Sequence, residues 1–194
     1  MRRPGALGGR SCLIALSVML LSVHAGAQKP SLACGMPGAH MWQATRPSPL
    51  DSATLTIRGR VAVFCYSRPS ARGRSVDSLV PLGPVWRTGA NEPTTLTITD
   101  SMTIGGARLG PGRYVIFTVP QASEWRIVFN TTPDTEPARM FRSLRRVAIG
   151  TGQVEPLASA VEQFTIRAVA DSANPAFTLE WGTRRVRVPV RVMP

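Results

Sequence analysis

Residues 185–192 read Arg-Val-Arg-Val-Pro-Val-Arg-Val, the strictest alternation in the chain. Val186, Val188, Val190 and Val192 must share one face of an extended strand, and Arg185, Arg187, Pro189 and Arg191 the other. Such a strand is antiparallel and half-buried, apolar inward and basic outward. Pro189 lacks a ladder donor, which predicts an edge position. Shorter runs of the same kind fill the chain upstream. Leu55 and Ile57 alternate with polar residues, and Val61, Val63 and Cys65 alternate with Ala62, Phe64 and Tyr66. Leu96 and Ile98 precede Met102 and Ile104; Gly105-Gly106 then offers a tight turn, and Gly110-Pro111-Gly112 a second one before Tyr114 to Val119. Trp125, Ile127 and Phe129 follow, then Phe164, Ile166 and Ala168, then Phe177, Leu179 and Trp181. Only Glu136 to Arg146 has helical spacing, through Met140, Phe141 and Leu144. These runs predict an all-β fold, an antiparallel β-sandwich of eight or nine short strands with one short helix. Seventeen Gly and seventeen Pro in 194 residues leave no run for a helical bundle.

The N-terminus is of a different kind. Met1-Arg2-Arg3, the apolar run Cys12 to Val23 and Ala25-Gly26-Ala27 describe a secretory signal peptide over residues 1–27. An apolar run of 12 residues falls short of the ~20 a spanning helix requires. The expected organisation is a signal peptide, an irregular Gly/Pro-rich arm over 28–50, and a single β-sandwich domain over 51–194. The expected destination is export, periplasmic or secreted, with no transmembrane segment after signal removal. Lipid anchoring at Cys34 is the less favoured variant, since Leu32 lies one place too near the cysteine and Lys29-Pro30 interrupts the approach. Signal removal takes Cys12 away and leaves Cys34 and Cys65 for an oxidising compartment. They are a candidate disulfide; two unpaired thiols, with Cys65 simply packed, remain the alternative.

The formal charge is +12. Without residues 1–27 the chain keeps 20 bases against 11 acids, and Lys29 is its only lysine. The base lies in two blocks, residues 58–87 and the tail from Arg139, around a mildly acidic middle. The tail is read as a solvated strand face and a helix. No helix-turn-helix, zinc-finger or RNP-type pattern accompanies the charge, so nucleic acid is not an expected partner. Beyond the signal the one histidine is His40, and no HExxH, GxSxG, Walker A or GxGxxG occurs. No cofactor and no metal are therefore expected, and the chain leans away from being an enzyme.

Two segments differ from ordinary strands and turns. Tyr66-Ser67-Arg68-Pro69-Ser70-Ala71-Arg72-Gly73-Arg74 is one; Leu82 to Asn91 (LGPVWRTGAN), followed by Glu92, is the other. They bring Arg68, Arg72, Arg74 and Arg87 into sequence neighbourhood with Tyr66, Trp86 and Asn91. Guanidinium groups grip carboxylates and phosphates in pairs of hydrogen bonds and stack on aromatic faces. The eight residues Tyr66, Arg68, Arg72, Arg74, Trp86, Arg87, Asn91 and Glu92 are thus the candidate ligand-binding set. The architectural alternative is that these arginines cap carbonyls, pair with Glu92 or Asp77, or pack on a tryptophan. Together with Leu79-Val80-Pro81, Thr94-Thr95, Leu109 to Tyr114, Ile116-Phe117-Thr118, Glu124-Trp125 and Phe129-Asn130, these segments resemble the bacterial exported family called domain of unknown function 2911. The resemblance covers roughly residues 50 to 192. After Asn130 it departs from the family, because residues 131–146 are basic and lack the Trp-Gly pair and acidic stretch expected there. It implies an exported β-rich domain and supplies no activity.

The functional expectation is a non-enzymatic binding or structural module of the bacterial envelope. Its Arg/aromatic cradle would hold an anionic small molecule, glycan or lipid headgroup. The alternative is a hydrolase of envelope glycan or ester substrates with a carboxylate acid/base, Glu92 with Glu124 being the least implausible pair. A third option is a scaffold that pairs through its edge strands. Oligomeric state is not readable from the chain.

Overall fold

The alternating runs become strands of one antiparallel sheet that folds back on itself. The computed structural model describes Cys34, residues 47–131 and residues 146–193. In chain order the strands are β1 Leu50–Ile57, β2 Arg60–Ser67, β3 Thr95–Ile98, β4 Met102–Ile104, β5 Ala107–Leu109, β6 Gly112–Val119, β7 Glu124–Asn130, β8 Arg146–Val169 and β9 Ala176–Val192. They pair in the order β1-β2-β3-β6-β7-β8-β9-β4-β5, antiparallel throughout. The one helix among the described residues is α1, Val76–Leu79, in the connection between β2 and β3. The helix expected over Glu136 to Arg146 lies outside the described residues, except for Arg146, which opens β8 instead. The expected signal peptide, and the arm up to residue 46 apart from Cys34, also lie outside them.

Two strands are not short. β8 has 24 residues and β9 has 17. The β8–β9 register shifts between Pro156 and Val161 and again between Val161 and Thr165. Such irregularities bend a strand, so the first part of β8 pairs β7 while its last part turns into the opposite layer with β9. Leu55, Phe64, Leu96, Ile116, Ile127 and Phe129 face across one continuous core to Phe177, Leu179, Val188, Met102 and Leu109. Phe64 meets Phe177 edge-on at 4.7 Å between ring centres.

The valines of β9 lie as the alternation requires: Val186, Val188 and Val190 are at most 2% exposed. Burying each contributes about 1.5–3 kcal/mol. β9 is not an edge strand, however, because β8 and β4 flank it. Its β8 ladder ends at Arg187 and its β4 ladder begins at Val190. Pro189 sits in the gap between them, where a missing N–H removes no ladder bond.

Glycine works where backbone approaches backbone. Gly105 and Gly106 close the β4–β5 hairpin with φ of 58° and 84°. A Cβ on Gly105 would stand 2.5 Å from the Thr151 carbonyl oxygen. That closeness permits the Thr151 N–H to donate to Gly105 O at 2.8 Å, joining the hairpin to β8. The Cys34–Cys65 disulfide, with Cα atoms 5.5 Å apart, ties the chain before β1 to β2. A closed loop of 31 residues disfavours the unfolded chain by about 3–4 kcal/mol on the chain-entropy account.

Candidate functional site

The segments singled out by sequence lie at the end of β2 and in the long connection from Arg68 to Thr94. This connection is irregular but pinned. Trp86 exchanges two backbone hydrogen bonds with Thr118 of β6, at 2.8 and 2.9 Å. Ser70 bridges to Gln163 of β8. Thr88 is fully buried at φ 57°, a strained setting for a β-branched residue. Thr94 Oγ1 donates to its carbonyl at 2.6 Å, and its own hydroxyl meets Thr118 Oγ1 at 3.2 Å.

The eight candidate residues do not gather in one open concavity. Tyr66 is wholly buried; its hydroxyl accepts the Ile166 N–H at 2.9 Å and reaches Asp51 Oδ2 at 3.1 Å. Burial, above all, pushes its pKa up to about 12. Arg68 donates to Phe164 O at 3.2 Å and Thr165 Oγ1 at 2.8 Å, and its third nitrogen lies 3.3 Å from Asp51. Arg74 donates to Ala71 O and Ser70 O, and Arg72 to Pro47 O. Arg87 donates to the carbonyl of Asn91, which stands at φ 55°. Glu92 accepts from Ser67 Oγ at 3.2 Å, while Glu124 accepts from Gln153 at 2.7 Å on another element. Each of the four arginines thus serves carbonyls.

Trp86 belongs to an aromatic group instead. It stacks on Trp181 at 6.0 Å and meets Phe164 at 4.9 Å and Trp125 at 6.1 Å edge-on. A narrow apolar chamber lies among these rings, with Val76 and Val80 against it. The indole N–H of Trp125 is buried with no hydrogen-bond partner among the described residues. Beside the chamber opens a cleft of about 400 Å³ lined by Arg74, Arg184, Asp77 and Glu162. Its charges balance, and Arg184 is already paired with Asp77.

A second cleft, of about 340 Å³, has a different character. Arg58, Arg187 and Arg191 line it with Ser172 and Asn174, and no carboxylate does. Arg58 comes from the β1–β2 turn, Arg187 and Arg191 from β9, and Ser172 and Asn174 from the β8–β9 turn. Arg187 donates to Asn174 O at 2.6 Å. Among the described residues the guanidiniums of Arg58 and Arg191 have neither hydrogen bond nor ion pair. The acids nearest in sequence are engaged elsewhere: Asp171 accepts the Ala173 N–H at 2.9 Å, Asp51 lies 3.3 Å from Arg68, and Glu180 lies 2.8 Å from Arg185. Arg58 and Gly59, at φ 49° and 76°, form a two-residue hairpin turn that ordinarily takes Asn-Gly. An arginine at positive φ is a costly choice there. Sequence reading did not single out this cleft because it assigned the β9 arginines to open solvent. The available signal was Arg58-Gly59 between two alternating runs, which marks a hairpin tip.

Elsewhere, buried Glu180 accepts from Arg167 at 2.9 Å, Arg185 at 2.8 Å and Thr178 at 3.1 Å. Burial pushes its pKa up, but these hydrogen bonds outweigh burial and hold it below the ordinary value. Among the described residues no three His, Cys, Asp or Glu side chains are grouped to hold a metal, and no helix is long and apolar enough to cross a membrane.

No curated protein matches the chain, and no solved structure does. A family match runs from just before β1 through the β2–β3 connection to Val190 of β9, taking in the pinned loop and all of the basic cleft except Arg191 and Val192. Over residues 48–190 the chain belongs to the family described as "Protein of unknown function (DUF2911)".

Proposed function

We propose that this chain is an exported, non-enzymatic β-sandwich module of the bacterial envelope that binds an anionic ligand. The ligand site is the cleft of Arg58, Arg187 and Arg191. That cleft is the observation carrying the reading: three cations from one strand and a turn, with no lining carboxylate to neutralise them. Export is supported by the signal-like residues 1–27 and by the Cys34–Cys65 bridge, a bond kept in oxidising compartments. The loop arginines 68, 72, 74 and 87 hold the β2–β3 connection in place and do not make the cradle themselves.

The test is calorimetric titration with phosphate-, sulfate- and carboxylate-bearing ligands at low salt. Wild-type protein is compared with the double variant Arg58→Asn/Arg191→Gln. Binding of any of these anions that weakens at least tenfold in the variant, and that falls as salt rises, is the expected result. Binding unchanged in the variant, or no binding of any anion, overturns the assignment.

A further inference from the structure

The same cleft carries a sharper statement about its ligand, which rests on the anion-binding reading. We infer that it takes a dianionic phosphate monoester with an organic body, in preference to a carboxylate.

Charge comes first. Three guanidiniums line the cleft with no carboxylate among them. A carboxylate would leave two of those charges uncompensated, whereas a phosphate monoester near neutral pH supplies close to two. Geometry agrees. A guanidinium presents paired donors suited to phosphate oxygens, and a tetrahedral phosphate offers three terminal oxygens in different directions. Arg58, Arg187 and Arg191 reach the cleft from two different elements, so they can approach such a group from separate sides. The planar carboxylate offers two oxygens only.

Volume and polarity add the organic body. About 340 Å³ is within the range of small-molecule pockets and exceeds what a bare oxyanion fills. Ser172 and Asn174 supply donors and acceptors on one wall, while Ile57, Pro189 and Val190 make another wall apolar. A phosphorylated saccharide or a lipid phosphate headgroup shares this chemistry.

The strain at Arg58 points the same way. A hairpin turn with positive φ at both central positions favours Asn-Gly, yet arginine stands at φ 49°. Arg72-Gly73 has the same backbone at an arginine that serves a carbonyl, so the strain at Arg58 counts only together with the cationic cleft that its side chain lines.

The test pairs two monosaccharides of similar size, glucose 1-phosphate and glucuronate, titrated into the full-length exported chain. The phosphate monoester is expected to bind at least tenfold more tightly. Its affinity should hold steady above pH ~6, the second phosphate pKa, and fall toward the glucuronate value as pH drops below it. Glucuronate affinity should stay flat over that range. Arg58→Asn should remove the preference while leaving the melting temperature equal or higher, since asparagine suits the turn. Vesicles of phosphatidylcholine with or without phosphatidic acid distinguish a lipid source from a soluble one. Retention on phosphatidic acid vesicles that glucose 1-phosphate displaces indicates a lipid headgroup, and binding of the sugar phosphate without vesicle retention a soluble ester. Equal affinity for both sugars, or an absent pH slope, overturns the phosphate assignment while leaving anion binding standing. No binding of either sugar, or of either vesicle, overturns both.

Discussion

Tyr66 was a ligand-binding candidate by sequence, and its setting makes Tyr66→Phe a clean probe of an architectural role. The substitution removes one oxygen and keeps the ring, which sits edge-on to Phe164 at 5.6 Å. The lost oxygen is the acceptor for the Ile166 N–H at 2.9 Å and the donor toward Asp51 at 3.1 Å. Phenylalanine therefore leaves a buried N–H without that acceptor, which costs about 1–3 kcal/mol. The value should appear in urea unfolding at pH 7 as a lower midpoint with an unchanged slope. Alkali gives an independent check. The folded pKa of Tyr66 is raised to about 12 from 10.0, so between those values the unfolded chain binds fewer protons than the native one. The stability that wild type holds below pH 10 is accordingly lost as pH rises toward 12, by roughly 2–3 kcal/mol at 1.36 kcal/mol per unit. The variant lacks this loss, and the gap between the two proteins should close over the same interval. A variant as stable as wild type at pH 7, or a gap that stays constant to pH 12, refutes the reasoning. Anion binding at the Arg58 cleft should be unaffected in either case.

Glu180→Gln keeps the shape but removes the charge that Arg167 and Arg185 share. Both guanidiniums are partly solvated, at 60% and 37% side-chain exposure, so the expected cost at pH 7 is about 1–2 kcal/mol, below the range for a fully buried pair. Because the folded pKa is lowered, that contribution is present above pH ~4.5 and is lost as pH falls through the folded value; acid unfolding curves that stay parallel down to pH 2 would contradict it. Gly105→Ala puts a Cβ 2.5 Å from the Thr151 carbonyl at φ 58°, and about 3 kcal/mol of destabilisation is expected from clash and strain together. A loss under 1 kcal/mol in urea unfolding would mean the hairpin does not press on β8.

Much of the fold is legible in the chain because period and punctuation agree. Val186 to Val190, the Gly105-Gly106 turn and the Trp125-Ile127-Phe129 face each follow from local rules, and each lies where those rules place it. Two things were not legible. The length of β8 depends on bulges near Val161, and a bulge is a relation between strands that one strand's sequence does not record. The role of Pro189 likewise depended on where two ladders meet, so a proline that signalled an edge sits within a flanked strand. The candidate site failed to be legible for a related reason. Nearness in sequence gathered Arg68, Arg72, Arg74 and Arg87, whereas the basic cleft draws on residues 58, 172–174 and 187–191.

The two sets of arginines differ in what surrounds them. A 27-residue connection from Arg68 to Thr94, paired only through isolated bridges at Ser70 and Trp86, leaves many carbonyls with no ladder partner, and buried carbonyls must find donors. A guanidinium with five N–H groups supplies several at once; Arg74 and Arg87 do so for Ala71, Ser70 and Asn91 within the connection, and Arg68 ties it to Phe164 of β8. On β9 the carbonyls already belong to ladders with β8 and β4, so guanidiniums there turn to other partners, Arg184 to Asp77 and Arg185 to Glu180. Arg191 and the hairpin-tip Arg58 remain available for a ligand, and Arg187 gives only one bond to a turn carbonyl. An arginine in a long irregular loop is thus expected to hold that loop, whereas one on a paired strand or tight turn is engaged only where an acid or a turn carbonyl faces it. The proposed assignment therefore runs opposite to the motifs: it takes the unusual loop as framework and places the ligand on the ordinary-looking alternating strand.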